Sequence, residues 1–119
     1  MSKHPIIHIE FSAADREAAG QFYNSVFDWK IQQMPEMNYA TFTAKGGPGG
    51  GFNPVSEENP AGTTLIYIST DDIPATLAQI EKHGGTSIVP ETEIPGVGWF
   101  AVFKDPTGNT VALYKDKPQ

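Results

Sequence analysis

Two side chains near the start of the chain carry groups that can move a proton or bind a cation. His8 and Glu10 stand two apart in Ile6-Ile7-His8-Ile9-Glu10-Phe11, a run that alternates like a strand. Side chains two apart on a strand share a face, with their Cα atoms ~6–7 Å from each other. A carboxylate that close supports the charged form of an imidazole and makes a proton-transfer pair. Each residue also has a plain structural reading: His8 as a hydrogen-bonded cavity wall, Glu10 as a group meeting solvent or a basic partner. Other chemistries are excluded more firmly. The chain has no cysteine, so disulfides, thiolate nucleophiles and cysteine-ligated metals are out. Ser12, Ser25, Ser56 and Ser87 lack the G-x-S-x-G context of an activated serine. The run Gly46-Gly47-Pro48-Gly49-Gly50-Gly51 lacks the Lys-Ser/Thr ending of a phosphate loop, and no helical pattern follows it. His83 precedes a glycine at a helix end, where a cation favours the dipole, and His4 lies in the N-terminal tail; neither is assigned chemistry.

The elements that position these residues follow from periodicity. After the first strand, Ser12 or Asp15 caps a helix from about Asp15 to Phe27. Ala18, Phe22 and Val26 recur at i, i+4 and i+8, with Ala19 and Tyr23 beside them, the mark of an amphipathic helix. Lys30 to Gln33 and Tyr39 to Ala44 read as strands, whereas five glycines in the six residues from Gly46 argue against a regular helix or a strong strand. Asn53 to Gly62 is the best linker. The pattern then starts again: a strand over Thr63 to Ser69, a helix capped by Asp71 or Asp72 and ended by Gly84-Gly85, and strands over Thr86 to Val89, Trp99 to Lys104 and Asn109 to Tyr114. A shift of 57 lays His8-Ile9-Glu10-Phe11 on Leu65-Ile66-Tyr67-Ile68 and Asp15 on Asp72; a shift of 60 lays Tyr39 on Trp99. Together these matches argue for an internal duplication of a βαβββ unit.

Composition bounds the function. The chain has 119 residues, 39% of them hydrophobic, which suits one folded domain. A formal net charge of −6 argues against nonspecific nucleic-acid binding, which needs cations to neutralise phosphates. It accommodates a cationic small ligand, and equally serves solubility alone. No apolar run approaches the ~20 residues of a membrane span, and the N-terminus does not read as a signal peptide, so a cytoplasmic protein is expected.

The ordered set His8-Ile9-Glu10-Phe11, Asp15, Phe22-Tyr23-Asn24-Ser25-Val26-Phe27-Asp28-Trp29, Asp71-Asp72-Ile73, Gly84-Gly85 and Phe103-Lys104-Asp105-Pro106-Thr107-Gly108-Asn109 resembles the vicinal-oxygen-chelate superfamily over nearly the whole chain. This is the glyoxalase, bleomycin-resistance and dioxygenase family. Asp28 stands where glycine is usual before the tryptophan. The resemblance implies an α+β fold in a single domain, residues 1–119, made of module 1 (about 4–55) and module 2 (about 62–116). The two βαβββ modules would form a curved mixed sheet around a cavity, with the helices outside. The family's metalloenzymes hold a divalent ion with one side chain from each of four inward strands. Carried over one at a time, those positions fall on His8, Leu65, Ala112 and the neighbourhood of Phe52, with Asn53 the nearest polar side chain. Only His8 can ligate, so no metal and no other cofactor is expected. The ligand cavity is expected to be lined by His8, Glu10, Phe52, Asn53, Leu65, Tyr67, Trp99, Ala112 and Tyr114, with no catalytic residue assigned. The function implied is binding of an aromatic or otherwise apolar small molecule. The alternatives are a metal-dependent lyase, isomerase or dioxygenase resembling glyoxalase I, and a scaffold domain with an empty cavity. The family also implies a homodimer, with no nucleic acid and no membrane among its partners.

Overall fold

Two aspartates start the two helices in the same way. Asp15 accepts a hydrogen bond from the backbone N–H of Ala18 at 3.0 Å, and Asp72 accepts one from Ala75 at 3.0 Å. Each satisfies a donor that the first helical turn would otherwise leave unpaired. The computed structural model describes residues 4–118. Its elements are β1 (Ile6–Ser12), α1 (Arg16–Phe27), β2 (Lys30–Met34), β3 (Tyr39–Thr43), β4 (Gly49–Asn53), β5 (Thr64–Ser69), α2 (Ile73–Lys82), β6 (Thr86–Ile94), β7 (Gly98–Lys104) and β8 (Thr110–Asp116), with a 3-10 turn over Pro35–Met37. The class is α+β, and the βαβββ order occurs twice. Asp28 closes α1 in the left-handed region at φ 60°, which explains why glycine suits that place and why aspartate is tolerated there.

The chain divides into two compact units, residues 7–65 and residues 66–118 together with 4–6. In the first, β2 pairs antiparallel with β3, β3 antiparallel with β4, and β4 parallel with β1. In the second, β6 pairs antiparallel with β7, β7 antiparallel with β8, and β8 parallel with β5. One face of each sheet packs on its helix. The first core joins Ala40, Phe42 and Phe52 to Ile9, Phe11, Ala19, Tyr23, Trp29 and Ile31. Its rings stack closely, Tyr23 on Trp29 at 4.9 Å and Trp29 on Phe42 at 4.5 Å. The second core joins Ile73, Ala101, Phe103 and Leu113 to Ile68, Leu77, Ile80, Trp99 and Val111.

Two expectations from periodicity are corrected. The stripe Ala18, Phe22 and Val26 faces outward, with Phe22 and Val26 more than half exposed. The packed stripe is its neighbour, Ala19 and Tyr23 with Gly20. A Cβ at Gly20 would press on the Ile31 side chain, so glycine lets α1 lie close on β2 along that line. The glycine run also yields a strand, β4, over Gly49–Asn53. It is wedged between β1 and β3, where a Cβ at Gly50 would meet the Ile9 carbonyl and the Phe42 ring. Close approach of neighbouring backbone and side chains requires glycine there, and that gain outweighs its weak strand propensity.

The turn between β7 and β8 is built on Asp105. Its carboxylate accepts hydrogen bonds from Asn109 N–H at 2.9 Å, Asn109 Nδ2 at 2.9 Å and Thr107 N–H at 2.9 Å. The Asn109 side chain, then the Asn109 and Thr107 backbone, hold its pKa down at about 2. Among the described residues no helix is long and apolar enough to cross a membrane.

Candidate functional site

The first unit carries a polar cluster on the face of its sheet turned away from α1. His8 and Glu10 project from β1, Tyr39 from the start of β3 and Asn53 from the end of β4. His8 Nε2 lies 2.8 Å from Tyr39 Oη and 3.3 Å from Glu10 Oε2. Tyr39 O–H donates to Glu10 Oε2 at 2.8 Å, and Asn53 Nδ2 donates to Glu10 Oε1. The donor sequence follows from bookkeeping. A phenol has one proton; with that proton given to Glu10, its oxygen is left to accept from His8 Nε2–H. Glu10 is only 8% exposed, so these donors answer the cost of burying a carboxylate. His8 is the more accessible member, its side chain 31% exposed against 10% for that of Glu10.

The sequence-derived site residues separate into groups. His8, Glu10 and Asn53 are brought together as described. Leu65 is buried. On β5 and β8 of the second unit, Tyr67 pairs with Ala112 and Ser69 with Tyr114, so Tyr67, Ala112 and Tyr114 share one face of that sheet. Tyr114 O–H donates to the Val97 carbonyl at 3.2 Å. Burial first, then the hydrogen bond and the charge of Asp116, push its pKa up to about 12.

Phe52 and Trp99 are corrections. Phe52 is fully buried on the helix side, stacked on Tyr23 at 5.7 Å and Phe11 at 6.0 Å. Trp99 packs against the helix-side core of the second unit and carries Lys115 Nζ 5.5 Å from its ring. Both corrections have one cause. In β3 and β4 the rungs are Ala40–Phe52, Thr41–Gly51 and Phe42–Gly50; in β7 and β8 the matching rungs are Ala101–Leu113, Val102–Ala112 and Phe103–Val111. The repeat in these strands is therefore offset by 61 and not by 60. Because strand side chains alternate, one residue of slip moves every one of them to the other face. Restored by one residue, Ala112 corresponds to Gly51, and Tyr39 corresponds to Phe100. Sequence reasoning did not assign Tyr39 to the site, nor Phe100 and Val102, which pair with Tyr114 and Ala112. The signal that could have found Tyr39 is Gly51, since a Cβ there would run into the Tyr39 hydroxyl.

The residues present do not fit the four-ligand ion implied by the family resemblance. Gly51, Leu65 and Ala112 offer no donor atom, and among the described residues no group of three or more His, Asp or Glu side chains is placed to hold a metal.

Comparisons with known proteins agree with this architecture. A model of the Glyoxalase/Bleomycin resistance protein/Dioxygenase superfamily matches residues 6–113. A glyoxylase-like domain-containing protein of Didymella fabae is 36% identical over 113 residues, covering 88% of each chain. The anthracycline biosynthesis protein DnrV of Streptomyces peucetius is 27% identical over 128 residues, covering 89% of this chain and 45% of that protein, so the chain spans about half its length. Among solved structures, a glyoxalase/bleomycin resistance protein/dioxygenase superfamily member from Vibrio splendidus superposes with a TM-score of 0.70 at 12% identity, over 96% of this chain and all of that one.

Proposed function

The chain belongs to the Glyoxalase/Bleomycin resistance protein/Dioxygenase superfamily, and on that premise we propose that it is a small-molecule binding protein working without the family's metal centre. The observation that carries this reading is the cluster of His8, Tyr39, Glu10 and Asn53, a satisfied hydrogen-bond network at a place where the metalloenzyme pattern calls for ligands. Building such a network on a sheet face costs desolvation that apolar residues would avoid, and a role in binding gives polar residues a reason to be there. The ligand is a small organic molecule held against His8, which is more accessible than Glu10, in the cavity implied by the family resemblance. The action is sequestration or carriage of that molecule. The lyase, isomerase and dioxygenase alternative loses support because Gly51, Leu65 and Ala112 supply no ligand atoms.

The test is a thermal-shift screen of aromatic and cationic metabolites against wild type and His8→Ala, with elemental analysis of untagged protein alongside. A compound that raises the melting temperature of wild type, with the shift lost in a folded His8→Ala, supports the reading. Stoichiometric zinc, nickel, manganese or iron retained through dialysis overturns its metal-free part. We further propose a cytoplasmic homodimer, as the family pairing implies; light scattering coupled to size exclusion tests the dimer, and a mass near that of one chain rejects it.

A further inference from the structure

One hydroxyl on the polar face of the first unit sits where three strands converge. Tyr39 Oη lies 2.8 Å from His8 Nε2 on β1 and 2.8 Å from Glu10 Oε2 on the same strand. It also fills the space that a side chain at position 51 of β4 would enter. Position 51 matches Ala112 in the strand ladders, so it is the place from which β4 would offer a ligand atom to an ion. A ligating side chain at 51 and Tyr39 in its present position exclude each other.

We propose that Tyr39 is the specificity-determining residue of this site: its hydroxyl stands in for an ion, so the site takes an uncharged hydrogen-bonding head group of an aromatic ligand and rejects both divalent cations and anions. This rests on the small-molecule reading above. A cation needs lone pairs of imidazole and carboxylate aimed at it. Here Glu10 Oε2 accepts from Tyr39, Glu10 Oε1 accepts from Asn53, and His8 presents its Nε2 proton to the phenol oxygen. Binding a cation would break the Tyr39–Glu10 bond and strip the His8 Nε2 proton. An anion would bring its charge toward the buried Glu10 carboxylate. A neutral hydroxyl brings no charge toward Glu10 and requires neither the Tyr39–Glu10 bond nor the His8–Tyr39 bond to break.

Calorimetric titrations of the full chain with zinc chloride, 1-naphthol and 1-naphthoate, with NMR of the histidine side chains, test this. Wild type should bind 1-naphthol at least ~10-fold more tightly than 1-naphthoate, with the His8 resonances shifting, and Tyr39→Phe should erase most of that preference. Zinc should leave His8 of wild type unperturbed. The double variant Tyr39→Ala, Gly51→Glu should bind zinc at least ~10-fold more tightly than wild type, and adding His8→Ala should remove the gain. The proposal is overturned if zinc binds wild type through His8, if Tyr39→Phe keeps the naphthol preference, or if the folded double variant gains no zinc affinity. Should that variant not fold, wild type and Tyr39→Phe decide alone. Naphthalene probes that bind without preference overturn the head-group assignment and leave the small-molecule reading standing; probes that do not bind at all overturn both.

Discussion

The two βαβββ halves share one ladder, and they differ by face. On the helix side most matched positions are alike, Ala40 with Ala101, Phe42 with Phe103 and Phe52 with Leu113, with Gly50 against Val111 the exception. On the other side every matched pair differs: His8 with Leu65, Glu10 with Tyr67, Tyr39 with Phe100, Thr41 with Val102, Gly51 with Ala112. The helix-facing side chains fill a close-packed interior, where volume is constrained to within a methylene. The opposite face differs in its chemistry: one half holds a hydrogen-bond network around the buried Glu10, while the other holds buried apolar side chains such as Leu65 and Ala112. The lesson is that this duplicated fold keeps similar residues at most matched core positions and diverges on the face turned away from the helices.

The largest expected effect tests the placement of the core pair. Phe52→Ala should destabilise the chain by about 3–5 kcal/mol, and its counterpart Leu113→Ala by about 2–5 kcal/mol, since each opens a cavity in a helix-side core. Urea unfolding measures both; a loss below about 0.5 kcal/mol for Phe52→Ala, the range of surface substitutions, would put that ring back on the open face. Next comes the rung that carries Gly51 in one half and Ala112 in the other. Gly51→Val should cost about 1–3 kcal/mol by driving out the Tyr39 hydroxyl, and should change the His8 imidazole resonances. Ala112→Gly at the matching rung should cost about 0.5–1 kcal/mol, mostly through added freedom of the unfolded chain, and leave His8 as it was.

Tyr39→Phe isolates the network without changing the core. Removing its donor from the buried Glu10 carboxylate should cost about 1–3 kcal/mol. A thermal melt unchanged from wild type would mean that the Tyr39 hydroxyl contributes nothing to holding Glu10. A smaller effect is the alkaline response of Tyr114. Its folded pKa of about 12 lies above the ordinary 10.0, so the folded state holds that proton more tightly. The resulting stability is fully present below pH 10 and declines as pH rises towards 12. Phenolate absorbance should show one tyrosine titrating late, and Tyr114→Phe should remove that step. The smallest effect lies at the opposite end of the pH scale, on the exposed turn. Asp105 is depressed from 3.8 to about 2, so its contribution is present above 3.8 and lost as pH falls through about 2. Asp105→Asn should flatten acid unfolding over that window; an unchanged profile would deny the turn any role in it.

Much of this molecule was legible from residue order. The aspartate caps, the strand alternation of Ile9 and Phe11, and the twofold βαβββ pattern each follow from local chemistry that acts over a few residues. The scarcity of metal-ligand side chains at the matched positions is likewise a property of residue types and needs no coordinates. Tertiary structure decided the remainder. Two apolar stripes run side by side on α1, and periodicity cannot choose between them; the close approach of Ile31 over Gly20 selects Ala19 and Tyr23. The glycines of β4 read as irregular until the Ile9 carbonyl, the Phe42 ring and the Tyr39 hydroxyl are seen occupying the space their side chains would need. The strand register turned on an offset of 61 in place of 60, and that single residue moved Phe52 and Trp99 into the cores. Alternation has a period of two, so a slip of one residue inverts every side chain while leaving the pattern looking the same; only the hydrogen-bonded partner strand breaks that tie.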